Sequence, residues 1–407
     1  MKKLSKSLAL WALSSALMFG ATLAPVVWAE SDSSSESVSE EAQSVADSES
    51  SNSEMITFVD DAGREVQIPK NVTKVAPSGS VSTFLLYTAA RDKLVAVNKS
   101  FSDKQKEYIP EKYHNLPEIG QFYGKSANLN METLIAQAPD VIIDLGEAKK
   151  TIKEDMDSIQ AQVNIPTIFI EARMDSMADT YRKLGKVLGE EEHCEKLAKY
   201  VEEVLAKAKE VKDSLEDSEK KTVYWAMGDA GLKTNARGSF QVEALELVGA
   251  ENVVDLEAQS RGGATEVSME NILTWAPEYV LIDSKQLEET MSNDEAWQAY
   301  FNEKKAVPVV VPFGPYGFIS NPPSANRYIG VLWLGNLLYP EKYQIDLKNE
   351  VKNFYDLFYG IELNDEDISS IIPNFVVGDE QAAGSAENLE KEESTVDVSE
   401  ADKVLGK

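Results

Sequence analysis

The sequence predicts an α/β fold of two lobes with mostly parallel sheets, joined by a single long helix, with a cleft between the lobes. The first observation is a phrase that occurs twice, at residues 128–146 and 266–284, with Met131 and Met269 separated by 138 positions. The second is a regular alternation of strand-like and helix-like segments. The third is a helical stretch without proline at 175–217, midway between the two copies.

The repeated phrase has the same internal order in both copies. Each copy begins with an amphipathic helix, continues with a proline that ends the helix, and finishes with an apolar run of strand length. Its period is far longer than the ~20–50 residues of solenoid repeats, so it indicates duplicated domains. Two lobes that face each other form a cleft, and a cleft is where a ligand binds.

Alternating strands and helices surround both copies and predict a mostly parallel sheet in each lobe, covered by helices on both faces. A β-hairpin is predicted at 55–69, because alternating apolar residues flank Asp61-Ala62-Gly63. The other predicted strands outside the repeat lie at 72–76, 94–97, 166–170, 222–226, 252–256 and 307–311. The other predicted helices lie at 81–90, 150–162, 240–248, 285–304, 324–338 and near 346–358.

The domain organisation follows from the same pattern. We expect an N-terminal lobe at 55–174, a connecting helix at 175–217 and a C-terminal lobe at 218–377. The connector is one long helix or two helices that abut near Gly189, because apolar residues recur in it at helical spacing. A helical connector is stiffer than crossing loops, so we expect limited hinge motion.

The two ends of the chain differ from its body. Residues 1–29 combine a basic start with an apolar run and small residues, which is typical of a signal peptide; an uncleaved membrane anchor is the alternative. Residues 30–54 contain eight acidic residues and no basic ones, and residues 378–407 are similarly acidic. Such segments bury too little apolar surface to offset chain entropy, so we expect a disordered linker and a disordered tail.

The composition excludes several classes of protein. The chain has 407 residues and a formal net charge of −29, so a basic footprint for nucleic acid is not expected. Cys194 is the only cysteine, which excludes an internal disulfide, a multi-cysteine metal site and a lipid anchor on a cysteine near the signal. The two histidines, His114 and His193, are too few for a histidine-rich metal cage. No metal site and no cofactor are therefore predicted.

Candidate ligand contacts are predicted at the carboxyl ends of the strands and in nearby loops, because parallel sheets bind ligands there. Aromatic rings at this edge supply contact area, and an arginine can form two parallel hydrogen bonds with an anionic group. The predicted ligand is bulky and anionic, such as a metal chelate; core packing of the rings and ordinary salt bridges of the arginines are the alternatives. The predicted contacts are Ser80, Tyr123, Arg173, Trp225, Arg237, Arg261, Tyr316 and Phe318.

Two glutamates of the repeat, Glu132 and Glu270, stand in the first turn of matching helices. Capping by Asn128 or Ser268, with a carboxylate that favours the helix dipole, would explain each glutamate alone. Many residue types satisfy that role, however, whereas both copies use Met-Glu. We therefore expect one carboxylate on the outer edge of each lobe, forming two matched docking points for a partner with paired arginines.

Several segments together resemble the exported substrate-binding proteins of ABC importers for iron–siderophore complexes, haem and vitamin B12. The resemblance covers about residues 55–375 and rests on DDAGREVQIP, KVAPSGS, GQFYGKSANLNMETLIAQAPDVII, GSFQVEALELVGAENVV and VSMENILTWAPEYVLI. It implies two Rossmann-like lobes joined by one long helix around a shallow cleft, and docking of Glu132 and Glu270 onto arginines of the permease. The segment NPPSANRYIGVLWLGNLLYPEKY resembles a branch of that family that includes iron-complex and oxyanion binders.

We therefore expect a binding protein without catalytic activity, which captures a chelated iron complex of the siderophore type and delivers it to an ABC permease in the cytoplasmic membrane. We expect it to be exported, soluble and monomeric, in the periplasm or at the exterior of the cell envelope. Haem, cobalamin and an oxyanion such as molybdate are alternative ligands. An exported adhesin, sensor or enzyme is a remote alternative, and the sequence contains neither a G-x-S-x-G elbow nor a phosphate loop.

Overall fold

A computed structural model of the protein describes residues 54–122, 127–258, 263–320 and 322–372. The predicted signal peptide, all of the linker except Glu54 and the predicted tail lie outside these described residues. Within them, strands and helices alternate as predicted. No described helix is both long enough and apolar enough to cross a membrane.

The N-terminal lobe combines an antiparallel hairpin with a parallel sheet. Its strands are β1 (Met55–Val59), β2 (Glu65–Pro69), β3 (Val75–Pro77), β4 (Val141–Gly146) and β5 (Thr167–Glu171). Its helices are α1 (Ser80–Ala90), α2 (Asp103–Lys106), α3 (Met131–Ala136) and α4 (Ile152–Val163). Strand β1 pairs with β2 in the predicted hairpin, and the parallel sheet has the order β3-β4-β5. The buried Arg64 fastens the hairpin to α4, because its guanidinium lies 3.0 Å from Asp60 and 2.7 Å from Asp157.

The predicted connector at 175–217 forms two helices, α5 (Met177–Leu188) and α6 (Glu191–Ser214). Helix α5 folds back along α6, because the guanidinium of Arg182 in α5 lies 2.8 Å from Glu195 and 2.6 Å from Glu202 of α6. Gly189 ends the first of them with a φ of 64°, a left-handed conformation that favours glycine. Helix α6 extends over 24 residues and buries one face along its whole length. Of the two alternatives for the segment 175–217, two helices that meet near Gly189 are therefore what the chain forms, and α6 is the single long helix that leads to the C-terminal lobe.

The C-terminal lobe repeats the α/β plan on a larger scale. Its strands are β6 (Thr222–Ala226), β7 (Lys233–Thr234), β8 (Glu251–Asn252), β9 (Thr265–Glu266), β10 (Tyr279–Ile282) and β11 (Val307–Val310). Its helices are α7 (Glu243–Leu247), α8 (Met269–Trp275), α9 (Lys285–Ser292), α10 (Glu295–Lys304), α11 (Asn326–Leu338), α12 (Pro340–Tyr343), α13 (Leu347–Tyr359) and α14 (Asp365–Ile371). The parallel sheet has the order β11-β10-β6-β8, and β7 pairs with β9 in an antiparallel ribbon.

The sequence repeat is also a repeat of backbone conformation. After α3 the chain passes through Ala138 with a φ of 47°, and after α8 it passes through Ala276 with a φ of 46°. A buried proline, Pro139 or Pro277, follows in each copy. Left-handed alanine is uncommon, so the same rare conformation at the same spacing of the repeat confirms that the two units are built alike.

One of the two predicted helix caps is confirmed, and the other is formed by a different residue. Ser268 caps α8, as predicted, and its hydroxyl accepts a hydrogen bond from the backbone N–H of Asn271. Helix α3 is capped by Asn130 and not by Asn128, because the Asn130 side chain lies 3.0 Å from the backbone nitrogen of Thr133. The Asn128 side chain instead accepts a hydrogen bond from the preceding loop.

One hydrophobic core runs through both lobes. Val75 and Ile143 of the N-terminal sheet belong to the same buried cluster as Val223 and Leu281 of the C-terminal sheet. Helices α1, α5, α6, α11 and α13 contribute many of its other members. The opposite face of each sheet packs against its own helices in a separate cluster. Both sheets are thus covered on both faces, as the pattern of strands and helices predicts.

Several predicted elements differ in extent from the observed ones. The strand predicted at 72–76 is observed at Val75–Pro77, and the helix predicted at 240–248 is α-helical only over Glu243–Leu247. The predicted strand at 94–97 contributes only isolated bridges, to Val75 and Glu118. The predicted helix at 285–304 is two helices, because Asp294 caps the second with its side chain. The predicted strand at 252–256 shrinks to the two residues of β8.

The loop between β11 and α11 is held by polar contacts and by close packing. The Asn326 side-chain amide donates to the carbonyl oxygens of Gly314 at 2.8 Å and Tyr316 at 3.0 Å. Gly330 allows α11 to approach the loop, because a Cβ atom there would overlap the carbonyl oxygen of Phe318. This loop lies at the carboxyl end of a parallel strand, so its fixed position matters for the cleft.

We expect Gly330→Ala to lower the free energy of unfolding by about 1–3 kcal/mol, since the added methyl group must displace backbone. Gly79→Ala is the matched control, because its Cβ would meet the Cβ of Gln121 at an ordinary 3.8 Å. Urea denaturation of both variants measures the difference. Equal stability of the two variants would contradict the close approach.

The two phenylalanines of the same loop provide a second test of its packing. Phe318 is 0% exposed and stacks edge-on against Trp333, whereas Phe313 is 42% exposed. We expect Phe318→Ala to destabilise the protein by about 3–5 kcal/mol. Phe313→Ala should change stability by less than about 0.5 kcal/mol. Thermal or chemical denaturation compares the pair, and a mild effect of Phe318→Ala would place its ring outside the core.

Candidate ligand-binding site

The loop that follows β5 carries Arg173, one of the predicted ligand contacts. Its guanidinium lies 3.2 Å from Glu147, 3.6 Å from Asp175 and 3.0 Å from Glu243. Glu147 and Asp175 are more than half exposed, so water weakens their attraction for the arginine. Glu243 is only 12% exposed and belongs to the C-terminal lobe, so this ion pair joins the two lobes.

Glu243 is shared with a second arginine. Its Oε2 atom lies 2.8 Å from the guanidinium of Arg327, which is 2% exposed. The same guanidinium lies 4.7 Å from the ring centroid of Phe240 and donates to the carbonyl oxygen of that residue. Its Nε atom is buried and has no hydrogen-bond partner among the described residues. Arg327 is therefore a buried cation with donor capacity left over.

The fold brings the two arginines together through the neighbours of each in the chain. Tyr328 follows Arg327 in α11, and its hydroxyl donates to the carbonyl oxygen of Met174 at 3.0 Å. Met174 follows Arg173 directly. A single hydrogen bond thus ties the first turn of α11 to the loop after β5 and fixes both guanidinium groups around Glu243.

The charges of this cluster are strongly influenced by burial. Burial raises the pKa of the Glu243 carboxyl, and the guanidinium groups of Arg327 and Arg173 offset that rise only in part. Burial also lowers the pKa of Arg327, and Glu243 opposes that effect. Each buried charge is therefore stabilised by the opposite one, and removing either would leave an uncompensated charge.

Ser80 lies at another part of the same edge. It begins α1 directly after β3, and Gly79 caps this helix without a side-chain hydrogen bond. The backbone N–H of Phe122 donates to the carbonyl oxygen of Ser78 at 3.1 Å, which places the loop before Tyr123 beside the start of α1. Tyr123 itself lies outside the described residues.

Three predicted aromatic contacts are core residues in this structure. Trp225, Tyr316 and Phe318 all belong to the central hydrophobic cluster and are at most 3% exposed. The ring of Tyr316 lies 4.0 Å from that of Phe84, centroid to centroid, and so joins the β11 loop to α1. Core packing, the alternative weighed for rings of this kind, is therefore where the structure puts them, and they have little surface to offer a ligand.

Arg237, another predicted contact, is not part of the cluster. Arg237 is paired with Glu251 at 3.1 Å and donates to the carbonyl oxygen of Asn252, so it braces the edge strand of the C-terminal sheet. Arg261 lies outside the described residues. Among the described residues there is also no group of three or more His, Cys, Asp or Glu side chains that could hold a metal ion.

Glu243 and Arg327 were not among the predicted site residues, although the sequence contains a signal for Arg327. It stands in the first turn of a helix whose other positions are almost all apolar, NRYIGVLWLGNLL. An arginine on a helix that is buried all round needs a partner within the protein. Glu243 lacks such a signal, because its helix is short and carries ordinary acidic residues.

The predicted docking glutamates are exposed at equivalent places. Neither Glu132 nor Glu270 forms an ion pair within the part of the chain that the structure describes. Three positions after each glutamate, an apolar side chain is also exposed: Ile135 is 51% exposed and Leu273 is 45% exposed. Residues three apart are neighbours on a helix surface. Each lobe thus presents a carboxylate beside an unpacked apolar side chain.

Known proteins are similar to this chain in sequence and in fold. A family profile described as periplasmic binding protein matches residues 75–300. The molybdate-binding protein MolA of Haemophilus influenzae is 27% identical over 333 residues, which cover 74% of this chain and 90% of MolA. The structure is similar to an ABC transporter solute binding protein from Sulfurospirillum deleyianum, with a TM-score of 0.71 and 29% identity over 78% of this chain and 99% of that chain. A periplasmic solute binding protein from Veillonella parvula has a TM-score of 0.64 and 22% identity over 78% of this chain and 97% of that chain.

These similarities confirm the predicted family and fold. The matching profile spans more than half of the chain and covers the whole N-terminal parallel sheet as well as β6, β8 and β10 of the C-terminal one. The solved relatives extend the likeness over most of the described residues. The chain therefore belongs to the periplasmic binding protein family.

Proposed function

We propose that this protein is exported and captures an anionic solute in the cleft between its lobes, for delivery to an ABC importer in the cytoplasmic membrane. The observation that carries the proposal is the convergence of Arg173 and Arg327 on a single carboxylate, that of Glu243. Two guanidinium groups that each contact one oxygen of the same carboxylate form a site that suits a tetrahedral or planar anion.

A small oxyanion is the ligand class that this geometry favours. The buried Nε of Arg327 is a donor without a partner among the described residues, and an oxyanion supplies acceptors in several directions. The rings expected to stack on a bulky chelate, those of Trp225, Tyr316 and Phe318, are occupied by core packing. The likeness to the molybdate-binding protein MolA supports the same ligand class.

A chelated iron complex of the siderophore type is the second candidate, with haem and cobalamin as variants of it. Phe313 favours it, because this ring is 42% exposed at the carboxyl end of β11, where a flat or bulky ligand would lie. Both candidates need the same arginines, and they differ in whether exposed rings contribute to affinity.

We expect calorimetric titration with molybdate, sulfate and phosphate to detect binding of at least one of these anions. Arg173→Gln should weaken it about 10- to 100-fold, since one charge-assisted hydrogen bond contributes about 1.5–3 kcal/mol. Arg182→Gln is the matched control, because Arg182 is also paired with three carboxylates but lies on α5. Binding of ferric siderophores, haem or cobalamin, without any response to the anions and with dependence on Phe313, would favour the second candidate.

We also propose that Glu132 and Glu270 dock onto the permease, each together with the exposed apolar residue beside it. An ABC importer that meets two matched lobes offers two matched surfaces, so a repeated patch suits it. A carboxylate gives orientation, and an adjacent apolar side chain gives area that is buried only in the complex. Ile135 and Leu273 have the exposure that such a role requires.

We expect the double variant Glu132→Ala with Glu270→Ala to retain the solute affinity of the wild type and to lose uptake through the importer. The matched control is Glu154→Ala with Glu288→Ala, since each of these is an exposed glutamate in the first turn of a helix, one per lobe. Uptake assays in cells measure both variants. Normal uptake by the first variant would contradict docking and would mean that Glu132 and Glu270 only stabilise the N-termini of their helices.

A further inference from the structure

The two oxygens of Glu243 are divided between the two arginines. Oε1 lies 3.0 Å from Arg173, and Oε2 lies 2.8 Å from Arg327. This is the arrangement that two oxygens of a bound oxyanion would take. We propose that Glu243 is an internal competitor, whose carboxylate occupies the anion grip when no solute is bound and must be displaced by the incoming oxyanion. This inference rests on the proposed function.

Accessibility supports displacement over simple addition. The Arg327 side chain is 2% exposed, and both Glu243 and the ring of Phe240 lie against its guanidinium. Arg173 is 36% exposed, so it is the accessible half of the grip. A solute can pair with Arg173 from solvent, but it reaches the Nη1 atom of Arg327 only when the carboxylate moves aside.

The charges determine which solutes can do this. When the carboxylate leaves, the buried guanidinium of Arg327 needs another negative partner, because an uncompensated buried charge is strongly destabilising. A neutral or cationic solute cannot supply that partner. Glu243 thereby acts as a specificity-determining residue that admits anions and lowers their affinity. Burial also favours the protonated form of the Glu243 carboxyl, which eases its departure from the pair.

The same exchange preserves the link between the lobes. Arg173 belongs to the N-terminal lobe, and Glu243 and Arg327 belong to the C-terminal lobe. In the empty protein the Arg173–Glu243 ion pair spans the lobes at 3.0 Å. A bound oxyanion between the same arginines would span them in its place, so the lobes remain bridged in both states.

The test is titration of Glu243→Gln with molybdate, sulfate and phosphate as probes. We expect the affinity for the bound anion to rise about tenfold over the wild type, because no charged partner has to be displaced. Glu147→Gln is the matched control, since Glu147 also contacts Arg173 but is 52% exposed. If the effect were general electrostatic attraction, this control would tighten binding equally; we expect a change below about threefold.

Two further variants keep the outcomes distinct. If circular dichroism shows that Glu243→Gln does not fold, Glu243→Asp is tested in its place. This variant keeps the negative charge but moves the carboxylate away from the arginines, so we expect it to bind the anion more tightly than the wild type. Unchanged or weaker binding by the folded Glu243 variant overturns the inference and makes Glu243 a residue that positions the arginines. If Arg173→Gln and Arg327→Gln fold and bind the anions like the wild type, the proposed binding site fails as well. If no anion binds at all, the inference fails together with the oxyanion as the ligand class.

Discussion

The burial of α11 between the connecting helix α6 and the C-terminal lobe is the constraint on which the rest of the structure depends. This helix packs on α6, α7 and α13, and nearly all of its residues are inaccessible to solvent. Its polar residues therefore have to find partners inside the protein. Asn326 holds the loop after β11, Arg327 pairs with Glu243, and Tyr328 binds the loop after β5. The helix thus sets the position of the lobes and of the site at once.

Much of this fold could be predicted because it follows from local pattern. The order of helix and strand within each copy of the repeat, the hairpin and the strand β6 depend on residues that are close together in the chain. These elements lie at or close to their predicted places. Elements that depend on tertiary contacts were harder. The chain at 94–97 looks like a strand but finds only isolated bridges, and the left-handed Ala138 and Ala276 are conformations that alanine adopts only when the surroundings impose them.

The site was less predictable than the fold, for a physical reason. The rule that ligands bind at strand ends selects residues by position, whereas burial depends on which face a side chain occupies. Both faces of a parallel sheet are covered, so Trp225 is buried although it lies one residue before the end of β6. Arg173 was identified because its loop leads directly away from a strand. Glu243 and Arg327 lie 84 positions apart, and only the folded chain brings them into contact.

A binding protein with a buried arginine has to remain folded when its site is empty. Without a partner, Arg327 would be an isolated cation in a low-dielectric core, which costs several kcal/mol. In this structure the carboxylate of Glu243 is that partner, and Arg173 of the N-terminal lobe pairs with the same carboxylate. The continuous core beneath both sheets is consistent with the limited hinge motion that the sequence predicts, so the proposed solute would enter a site whose walls are already in place. The proposed exchange of one anion for another, with the arginines fixed, is a small movement of the kind that such a fold would permit.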